Sequence, residues 1–542
     1  MTALVGTSEA TSGGVTVDLV VVGAGAAGLL GAVAAKRLGL DVLIIEVTDM
    51  AGGATATSSG TMWLPGNPLA AKLGVLDSPE DALEYLNVIL GPTTDASTDA
   101  RRAAYANTAG RVARWLMSSN LPLVALKGVP DHHPAVPGGR TQGRVLGTQP
   151  VDRRPMGEWA ARLRSVAPLR PAGRLASLPL AGRVFHPAAP AATRGEALGA
   201  ELLRRATANG VEIWFECPLV DLVESDGRIT GVVTRKQGED VLITARRGVL
   251  LASGGFGADQ RMREEYLPLP TDAAWSLHEP TSHGVALGIA ASHGAALGAM
   301  QDAWWVPVIM ADGKAYRVDR ARRAPHSIVV DQAGDRFFDE AAAPTDAVRH
   351  FYDHRRTVNA VPCYLIMDDR HRRVVDLGPW KAGTTPRSAI DSGQIARADS
   401  LNDLAETIGI DRAGLLGSVV RFNGFAIKGH DLDFRRGESE WDRYGLDASK
   451  KRHNPGLGKL TKSPFWAVPV YPGDEGTKGG LLIDEDSRVL RDDHRVIDGL
   501  YACGGSAASI MTDTSPGPGA ALGEALVEAY RAVLDLTGSS GR

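Results

Sequence analysis

The sequence predicts an α/β protein organised around a parallel β-sheet, and three observations favour this class. An apolar strand, a glycine-rich turn, a helix and a second strand follow one another between Leu19 and Glu46. Two further apolar segments, 248–252 and 499–503, each run into a Gly-Gly pair. A helical pattern from Ala520 to Leu534 follows the last pair. Together they indicate a Rossmann-type domain, whose strands end in glycine-rich turns at one edge of the sheet.

The first unit of this domain is a βαβ motif. Residues 19–22 form a short β-branched strand, and residues 23–28, GAGAAG, form the turn that follows it. A helix is predicted from Leu29 to Leu38 because Gly39 supplies a C-terminal cap. The second strand, 41–46, ends in an acid. This order satisfies the GxGxxG fingerprint of a dinucleotide-binding fold.

Each glycine of the fingerprint has a physical role. Gly23 permits the tight turn, Gly25 lets the backbone approach a pyrophosphate, and Gly28 lets helix and strand pack closely. The N-terminus of the helix then faces the phosphates with free N–H groups and the positive end of its dipole. Glu46 is placed to accept ribose hydroxyls and to repel a 2′-phosphate, which disfavours NADP.

The loop after the second strand favours FAD over NAD. Residues 52–60, GGATATSSG, are small, polar and rich in glycine. A flavin ring has to lie along a backbone that donates N–H and hydroxyl groups, whereas an NAD dehydrogenase does not need such a loop here. The later Gly-Gly pairs and the N-terminus of the last helix complete the expected site. The residues predicted to line it are Gly23, Gly25, Ala26, Ala27, Gly28, Glu46, Gly53, Ala54, Thr55, Ser58, Ser59, Gly60, Ser253, Gly254, Gly255, Gly504, Gly505, Ala520, Ala521 and Leu522.

The stretches between these blocks predict further elements. Helices are expected at 101–118 and 195–209. The alternation from Val211 to Ala252 predicts a β-meander, with Asp226-Gly227 as a hairpin turn. Residues 134–190 are rich in proline, arginine and alanine, which favours irregular structure.

Composition and motifs exclude several classes of protein. A net charge of −4 gives no reason to expect a nucleic-acid partner. The uncharged run 19–35 is shorter than the ~20 residues that a transmembrane helix needs, so no transmembrane segment is expected. The three cysteines form neither a disulfide framework nor a metal motif, which predicts a cytoplasmic protein without a metal. A second GxGxxG and a CxxCH are both missing, which disfavours a second nucleotide site and an attached haem.

In this order the blocks resemble the flavoproteins of the fumarate reductase and 3-ketosteroid dehydrogenase superfamily, most closely the 3-ketosteroid Δ1-dehydrogenase branch. The segments that carry the resemblance are GGATATSSGTMWLPGN (52–67), DAWWVP (302–307), IVVDQAGDRFFDE (328–340), PGDEGTKGGLLIDEDSRVL (472–490) and SPGPG (515–519). The resemblance implies an FAD domain in two parts, 1–275 and 450–542. An α+β catalytic domain, 276–449, would be inserted between them and cap the flavin. The 52–60 loop holds no histidine, so non-covalent FAD is expected.

The resemblance also implies where the chemistry lies. In the Δ1-dehydrogenases a tyrosine and a backbone N–H of a Tyr-Pro-Gly-Pro-Gly segment hold the substrate ketone. Here the matching segment makes Ser515 and Gly519 the predicted ketone-binding residues. The family's base is a tyrosine in an Asn-Glu-x-x-Pro-Tyr-type segment, which matches 339–346 without a tyrosine. A supporting tyrosine lies in Asp-Tyr-Tyr-Pro, which matches Asp131-His132-His133-Pro134. All three tyrosine positions therefore differ.

The two histidines are the predicted replacement for the base. Before Pro134 the chain is expected to be extended, so only one of His132 and His133 can face the flavin. An ordinary imidazole pKa of about 6.5 suits a base at neutral pH better than a phenol does. The alternative is that both histidines are surface loop residues.

Three other sites have two interpretations each. Trp304 and Trp305 wall the substrate pocket or belong to the core. Lys478 places a cation near the flavin or is a solvated surface lysine. His283 reaches the substrate or is satisfied within its loop.

The sequence thus predicts an FAD-dependent dehydrogenase that introduces a C=C bond next to the carbonyl of a cyclic ketone. The substrate is a 3-ketosteroid or a smaller alicyclic ketone, and electrons pass to an external acceptor such as a quinone. One alternative is a flavin-dependent ene-reductase or fumarate-reductase-like enzyme that works in the opposite direction. A second is an FAD-binding paralogue whose chemistry is altered or lost.

Overall fold

The computed structural model describes residues 14–165, 191–446 and 453–539. Residues 166–190, which belong to the predicted irregular segment, lie outside these ranges. Within the described ranges no helix is long and apolar enough to cross a membrane.

The strands of the described residues form four sheets. They are β1 (Val15–Val22), β2 (Val42–Ile45), β3 (Met62–Trp63), β4 (Leu123–Ala125), β5 (Val145–Thr148), β6 (Glu212–Trp214), β7 (Leu219–Ser225), β8 (Arg228–Lys236), β9 (Glu239–Leu251), β10 (Leu297–Gly298), β11 (Ala303–Ala311), β12 (Lys314–Arg317), β13 (Ser327–Val330), β14 (Cys363–Asp368), β15 (Ala396–Ala398), β16 (Phe465–Thr477), β17 (Gly480–Leu481), β18 (Arg488–Leu490) and β19 (Val496–Ala502).

The helices of the described residues pack against these sheets and against one another. They are α1 (Ala26–Arg37), α2 (Gly53–Thr57), α3 (Pro79–Leu90), α4 (Asp99–Ser118), α5 (Arg194–Ala208), α6 (Gln260–Tyr266), α7 (Val285–Ser292), α8 (Asp319–Arg323), α9 (Pro344–His354), α10 (Asp369–Val374), α11 (Arg387–Asp391), α12 (Leu401–Ile408), α13 (Arg412–Lys428), α14 (Glu440–Arg443) and α15 (Ala520–Leu536). Short 3₁₀ turns lie at Ala70–Leu73, Arg154–Arg162, Ala273–Trp275 and Gly504–Ser506.

The largest sheet has eight strands in the order β18-β19-β8-β9-β1-β2-β6, with β7 paired to β8. Strands β19, β9, β1, β2 and β6 run parallel to one another. Helices α1 and α15 pack on this sheet and on each other, and α5 packs against α1. Leu19, Val20 and Val21 are fully buried, because the strand at the centre of a parallel sheet is covered on both faces.

A six-stranded sheet forms the centre of the inserted part, in the order β12-β11-β16-β14-β13 with β15 paired to β16. This sheet extends along the sequence to Thr477 at the end of β16. It therefore includes residues beyond 449, the end of the inserted domain that the resemblance implies.

The two stretches of chain that join the large sheets pair with each other. Leu297 of β10 lies opposite Leu481 of β17, and Ala303 of β11 lies opposite Thr477 of β16, both in antiparallel register. A separate three-stranded sheet, β3-β5-β4, supports the loops between residues 62 and 148.

Several predicted elements are confirmed. Helices α4 and α5 match the expected segments to within two residues, and β7 and β8 form the expected hairpin with Ser225 opposite Arg228. Asp226 and Gly227 have φ of 53° and 78°, as a two-residue type I′ turn requires. Helix α1 begins at Ala26, three residues before the expected start.

Candidate active site

A cavity of about 860 Å³ is lined by residues of both large sheets and of the loops at their ends. Its volume is near the upper end of ordinary ligand pockets, about 300–1,000 Å³. The residues predicted for the cofactor that line it are Gly23, Gly25, Ala26, Ala27, Glu46, Gly53, Ala54, Thr55, Ser58, Ser59, Ser253, Gly254, Gly255, Gly504, Gly505, Ala520, Ala521 and Leu522. The residues predicted for catalysis, ketone binding or the substrate pocket that line it are His132, Ser515, Gly519, Trp304 and Trp305.

The N-terminus of α1 opens on this cavity without a side-chain cap. Gly25 is the N-cap residue, and the Ala26 N–H donates to Thr55 Oγ1 at 3.3 Å. Uncapped N–H groups at the positive end of a helix dipole bind phosphate oxygens. Glu46 stands at the end of β2, where its carboxylate accepts the Ala24 N–H at 2.8 Å and the Thr48 hydroxyl at 2.9 Å. These bonds hold the carboxylate in the cavity wall.

Two predicted glycines lie behind the wall of the cavity. A Cβ on Gly28 would lie 2.0 Å from the Gly23 carbonyl oxygen, and a Cβ on Gly60 would lie 2.3 Å from the Gly195 nitrogen. Both glycines therefore allow one backbone to pack directly on another. Gly25 differs, because a Cβ there would meet no atom within 4 Å. The space in front of Gly25 is open for a ligand.

These features fit FAD. Glu46 can bind a ribose, the open N-terminus of α1 can bind the pyrophosphate, and the glycines of the later blocks leave a bare wall for a flat ring system. Part of the wall is backbone in a left-handed conformation that favours glycine, since Gly254 has φ +85° and Gly504 has φ +59°.

The N-terminus of α15 lies in the same cavity. Gly519, its N-cap residue, has φ +87° and no side-chain cap. A Cβ on Gly519 would lie 2.4 Å from the Thr61 carbonyl group, so only glycine fits. Within the described residues the Gly519 N–H has no hydrogen-bond acceptor. The Ser515 hydroxyl is buried and makes only a long contact of 3.5 Å, to the Gly517 carbonyl oxygen.

His132 lies in the cavity wall beside this helix terminus. Its Nδ1 is 2.9 Å from the Ser515 carbonyl oxygen, and its ring meets that of Trp441 edge to face at 4.3 Å. A carbonyl oxygen can only accept, so Nδ1 carries the hydrogen and Nε2 keeps its lone pair. Nε2 has no hydrogen bond to any described residue. Burial lowers the pKa of His132 to about 3, well below the ordinary imidazole value assumed from the sequence.

His133 is turned away from the cavity lining. Its Nε2 lies 3.1 Å from Thr514 Oγ1 and 3.4 Å from an oxygen of Asp346. The His133 N–H donates to the Tyr85 hydroxyl at 3.2 Å, and that hydroxyl donates to the Pro516 carbonyl oxygen at 2.7 Å. His133 therefore joins the loop before Pro134 to the loop before α15.

A buried network of polar and charged side chains supports the loop that carries His132 and His133. No local pattern in the sequence indicated this network. The Trp63 indole N–H donates to Asp131 Oδ1 at 2.7 Å, and Arg144 Nη1 donates to Asp131 Oδ2 at 2.9 Å. Burial raises the pKa of Asp131 to about 6, although the charge of Arg144 opposes the shift. The three residues lie in separate segments of the sequence, so no local pattern could unite them.

The inserted part contributes further lining residues. Thr345, Trp441 and Arg317 line the cavity. Thr345 and Trp441 are buried, whereas 41% of the Arg317 side chain is exposed. Thr345 lies in the segment 339–346, which lacks the tyrosine of the family, and nothing in the sequence indicated Arg317. The three residues come from different elements, and only the fold brings them together.

Lys478 is buried rather than solvated. Its ammonium group lies 3.2 Å from Asp302 Oδ2 and 3.0 Å from the Thr514 carbonyl oxygen, under the Trp304 ring at 5.0 Å. Trp305 donates its indole N–H to Asp302 Oδ1 at 2.7 Å. His283 is exposed and lines the cavity.

Comparison with known proteins gives consistent results. Residues 18–522 match the model of the FAD binding domain family. The 3-oxosteroid 1-dehydrogenase of Mycobacterium tuberculosis is 34% identical over 97% of this chain and 99% of its own length. The 4-oxocyclohexanecarboxylate 2-dehydrogenase of Sinomonas cyclohexanicum is 30% identical over 99% of this chain and 95% of its own length.

A solved structure shows the same fold. The 3-ketosteroid Δ1-dehydrogenase of Sterolibacterium denitrificans, in complex with 1,4-androstadiene-3,17-dione, has a TM-score of 0.88 and is 33% identical. The match covers 97% of this chain and 100% of that one. Because similarity extends over nearly the whole of both chains, the protein belongs to the FAD-binding family that includes the 3-oxosteroid 1-dehydrogenases and is an FAD-dependent oxidoreductase acting on CH–CH bonds.

Proposed function

We propose that the protein introduces a C=C bond next to the carbonyl group of a cyclic ketone, either a 3-ketosteroid or a smaller alicyclic ketone. The observation that carries the proposal is the placement of His132, Ser515 and Gly519 in one cavity with the residues that fit FAD. The names of the relatives support the substrate class, since they include dehydrogenases of 3-oxosteroids and of 4-oxocyclohexanecarboxylate.

The ketone oxygen would be held at the N-terminus of α15. The Gly519 N–H and the Ser515 hydroxyl are the hydrogen-bond donors at this terminus. Neither has a short hydrogen bond within the described residues. The positive end of the helix dipole stabilises negative charge that develops on the ketone oxygen. Polarising the carbonyl in this way acidifies the hydrogen on the adjacent carbon.

His132 would take that proton on Nε2. The hydrogen bond from Nδ1 to the Ser515 carbonyl fixes the ring and leaves the Nε2 lone pair available. Burial disfavours the imidazolium, but a negative charge developing on the substrate beside the ring raises the imidazole pKa. The chemistry that bound FAD would supply is the acceptance of a hydride from the neighbouring carbon.

His133 would act through other residues. It contacts Thr514 and Asp346 outside the cavity lining, so we assign it to positioning the two loops that carry His132 and Ser515. The reduced enzyme would pass its electrons to an external acceptor such as a quinone. The three cysteines are buried and unpaired, which supports a reducing cytoplasm as the compartment.

An anaerobic titration tests the proposal. Ketones are added to the oxidised FAD enzyme without an acceptor, and the flavin absorption band is followed. A panel of 3-ketosteroids, cyclohexanones and terpenoid ketones should contain members that bleach the band. If none does so while the FAD content is unchanged, the proposal is overturned. Reoxidation of the chemically reduced enzyme by enones or fumarate, without bleaching by any ketone, would instead establish the reverse reaction.

A further inference from the structure

Arg317 presents a positive charge in the substrate part of the cavity, by which we mean the wall formed by Arg317, Thr345 and Trp441 of the inserted part. It is the last residue of β12 and lines the cavity, and 41% of its side chain is exposed. The proposed chemistry does not use this residue.

The guanidinium of Arg317 is held at two of its three nitrogens. Nε donates to Asp319 Oδ2 at 2.7 Å, and Nη1 donates to Glu475 Oε1 at 2.5 Å. A guanidinium has five N–H groups, so three remain. Nη2 forms no hydrogen bond to any described residue. The two carboxylates therefore fix the group and leave an edge of it available to a ligand.

The surrounding charges do not cancel this cation. Asp319 is shared with Arg322, whose Nη2 lies 3.0 Å from Asp319 Oδ1. Arg323 is buried and donates to the backbone carbonyls of Asp319 and Trp441, at 3.2 Å each. No carboxylate of the described residues forms an ion pair with Arg323. Three guanidinium groups thus face two carboxylates in this cluster.

The cluster lies close to the reacting groups. Arg323 stacks on the Trp441 ring at 4.9 Å, and that ring meets His132 at 4.3 Å. The charges of Arg317 and Arg323 both help to lower the pKa of His132. A substrate whose ketone is held at Gly519 and His132 can therefore reach this cluster with its other end.

We propose that Arg317 binds a carboxylate group on the cyclic ketone substrate, at the end away from the reacting carbonyl. This inference rests on the proposed function and deepens it by selecting acidic ketones. A planar carboxylate offers two oxygens to Nη2 and to the free N–H of Nη1, and a charge-assisted pair of this kind is stronger than a bond to a neutral oxygen.

The test compares two ketone acids with their methyl esters, which keep the ring and the ketone but lose the negative charge. 4-Oxocyclohexanecarboxylate is paired with its methyl ester, and a 3-oxosteroid with a carboxylate side chain is paired with its methyl ester. Dissociation constants are measured calorimetrically and anaerobically with the chemically reduced FAD enzyme, which cannot accept a hydride from the ketone, so binding is separated from flavin reduction. At least one acid should bind the wild type about 10-fold or more tightly than its ester.

Three variants complete the test. Arg317→Met should remove the preference for the acid and leave ester binding unchanged. Glu475→Gln should tighten acid binding, because it removes a competing negative charge from the wall. Lys314→Met removes an exposed positive charge from the same strand outside the cavity lining, and it should change neither ligand.

The possible outcomes separate the two proposals. If each acid and its ester bind equally in the wild type and in Arg317→Met, or if both bind more weakly in the variant by the same factor, carboxylate recognition is overturned, whether or not the flavin is bleached. If an acid binds with the predicted dependence on Arg317 but no ketone bleaches the flavin, the proposed reaction fails and the recognition site stands.

Discussion

His132 and Ser515 are joined by a hydrogen bond of 2.9 Å although 383 positions separate them in the sequence. The bond runs from the imidazole to a backbone carbonyl, so it fixes the tautomer of the histidine and the path of the loop before α15 together. The side chain proposed to take the proton and the backbone proposed to hold the ketone are therefore one unit.

His132→Asn should keep this unit and lose the base. The asparagine amide can donate to the Ser515 carbonyl in place of Nδ1, but it offers no basic nitrogen. The rate of flavin reduction in anaerobic stopped flow should fall by about 10²- to 10⁴-fold, the usual contribution of a general base. His133→Asn is the matched control and should lose less than about 10-fold. Equal losses in both variants would contradict the assignment of the proton to His132.

The pH dependence of flavin reduction should also identify the base. An imidazole accepts a proton only in its neutral form, and burial holds the pKa of His132 at about 3. The neutral form is therefore complete above about pH 5, and the rate should stay level from there to pH 9. His132→Tyr should behave differently, because a phenol becomes a base only as pH rises toward its pKa of about 10. A step near pH 6.5 in the wild type would show that another histidine limits the rate.

Alanine substitutions at two glycines of the first turn should impair the protein for different reasons. Gly25→Ala has a permitted φ of −73° and no protein atom within 4 Å of the new methyl group. It should fold but lose FAD, because the methyl group occupies the space of the pyrophosphate. Gly28→Ala places a methyl group 2.0 Å from the Gly23 carbonyl and should destabilise the fold itself. Circular dichroism and flavin content of the purified variants distinguish the two. A Gly25→Ala protein with full FAD content would contradict the position given to the phosphates.

A buried pair of acids on α15 predicts how stability varies with pH. Glu528 accepts from Arg101 at 2.7 Å and from the Gly504 N–H at 2.8 Å, whereas Glu524 meets the Ser509 hydroxyl at 2.6 Å. Burial, together with the charge of Glu524, raises the pKa of Glu528 to about 8, and burial also raises that of Glu524. The folded state thus holds a proton that the unfolded chain releases near pH 4.5, so stability should fall as pH rises from about 4.5 to 8.

Glu524→Gln should reduce this fall. The amide can accept from the Ile510 N–H and donate to Ser509, as a protonated glutamic acid would. At pH 8.5 the Tm of this variant should exceed that of the wild type by about 2 °C or more, with little difference at pH 5. Glu528→Gln also replaces an acid that is protonated at pH 5 by a neutral amide, so it should change the Tm little at pH 5 and should likewise reduce the fall toward pH 8.5. A wild-type Tm that does not change over this range would refute the assignment.

The cofactor wall could be predicted from the sequence because its parts are local. A strand, a glycine-rich turn and a helix N-terminus are adjacent in the chain, so their spacing defines the site before any tertiary contact is known. Gly28 and Gly60 show the limit of this reasoning. Both belong to such blocks, yet each allows backbones to pack rather than lining the cavity.

The substrate part of the cavity could not be predicted in the same way. Trp441, Arg317 and Thr345 lie on three separate elements of the inserted part, and no spacing in the sequence relates them. The low pKa of His132 also has no sequence signal, because it arises from burial against Trp441 and the loop of Ser515.

Strand β16, which continues the six-stranded sheet beyond residue 449, accommodates two prolines. Strand β16 contains Pro469 and Pro472, and proline normally marks an edge strand or a break. The register shows why both are tolerated. Residues 465–470 pair with β14 and residues 471–477 pair with β11. At each proline the strand has a neighbour on one side only, as in an edge strand, where proline is tolerated.

The two chain connections between the large sheets are paired with each other, and this pairing affects how the inserted part can move. Both chain connections between the sheets run side by side as β10 with β17 and β11 with β16, and Thr477 and Lys478 at the end of β16 line the cavity. Because the strands of each pair are hydrogen-bonded to one another, any hinge motion of the inserted part has to bend both connections together at the wall of the cavity. The two connections thus act as one two-stranded ribbon, which restricts the inserted part to motions that both can follow.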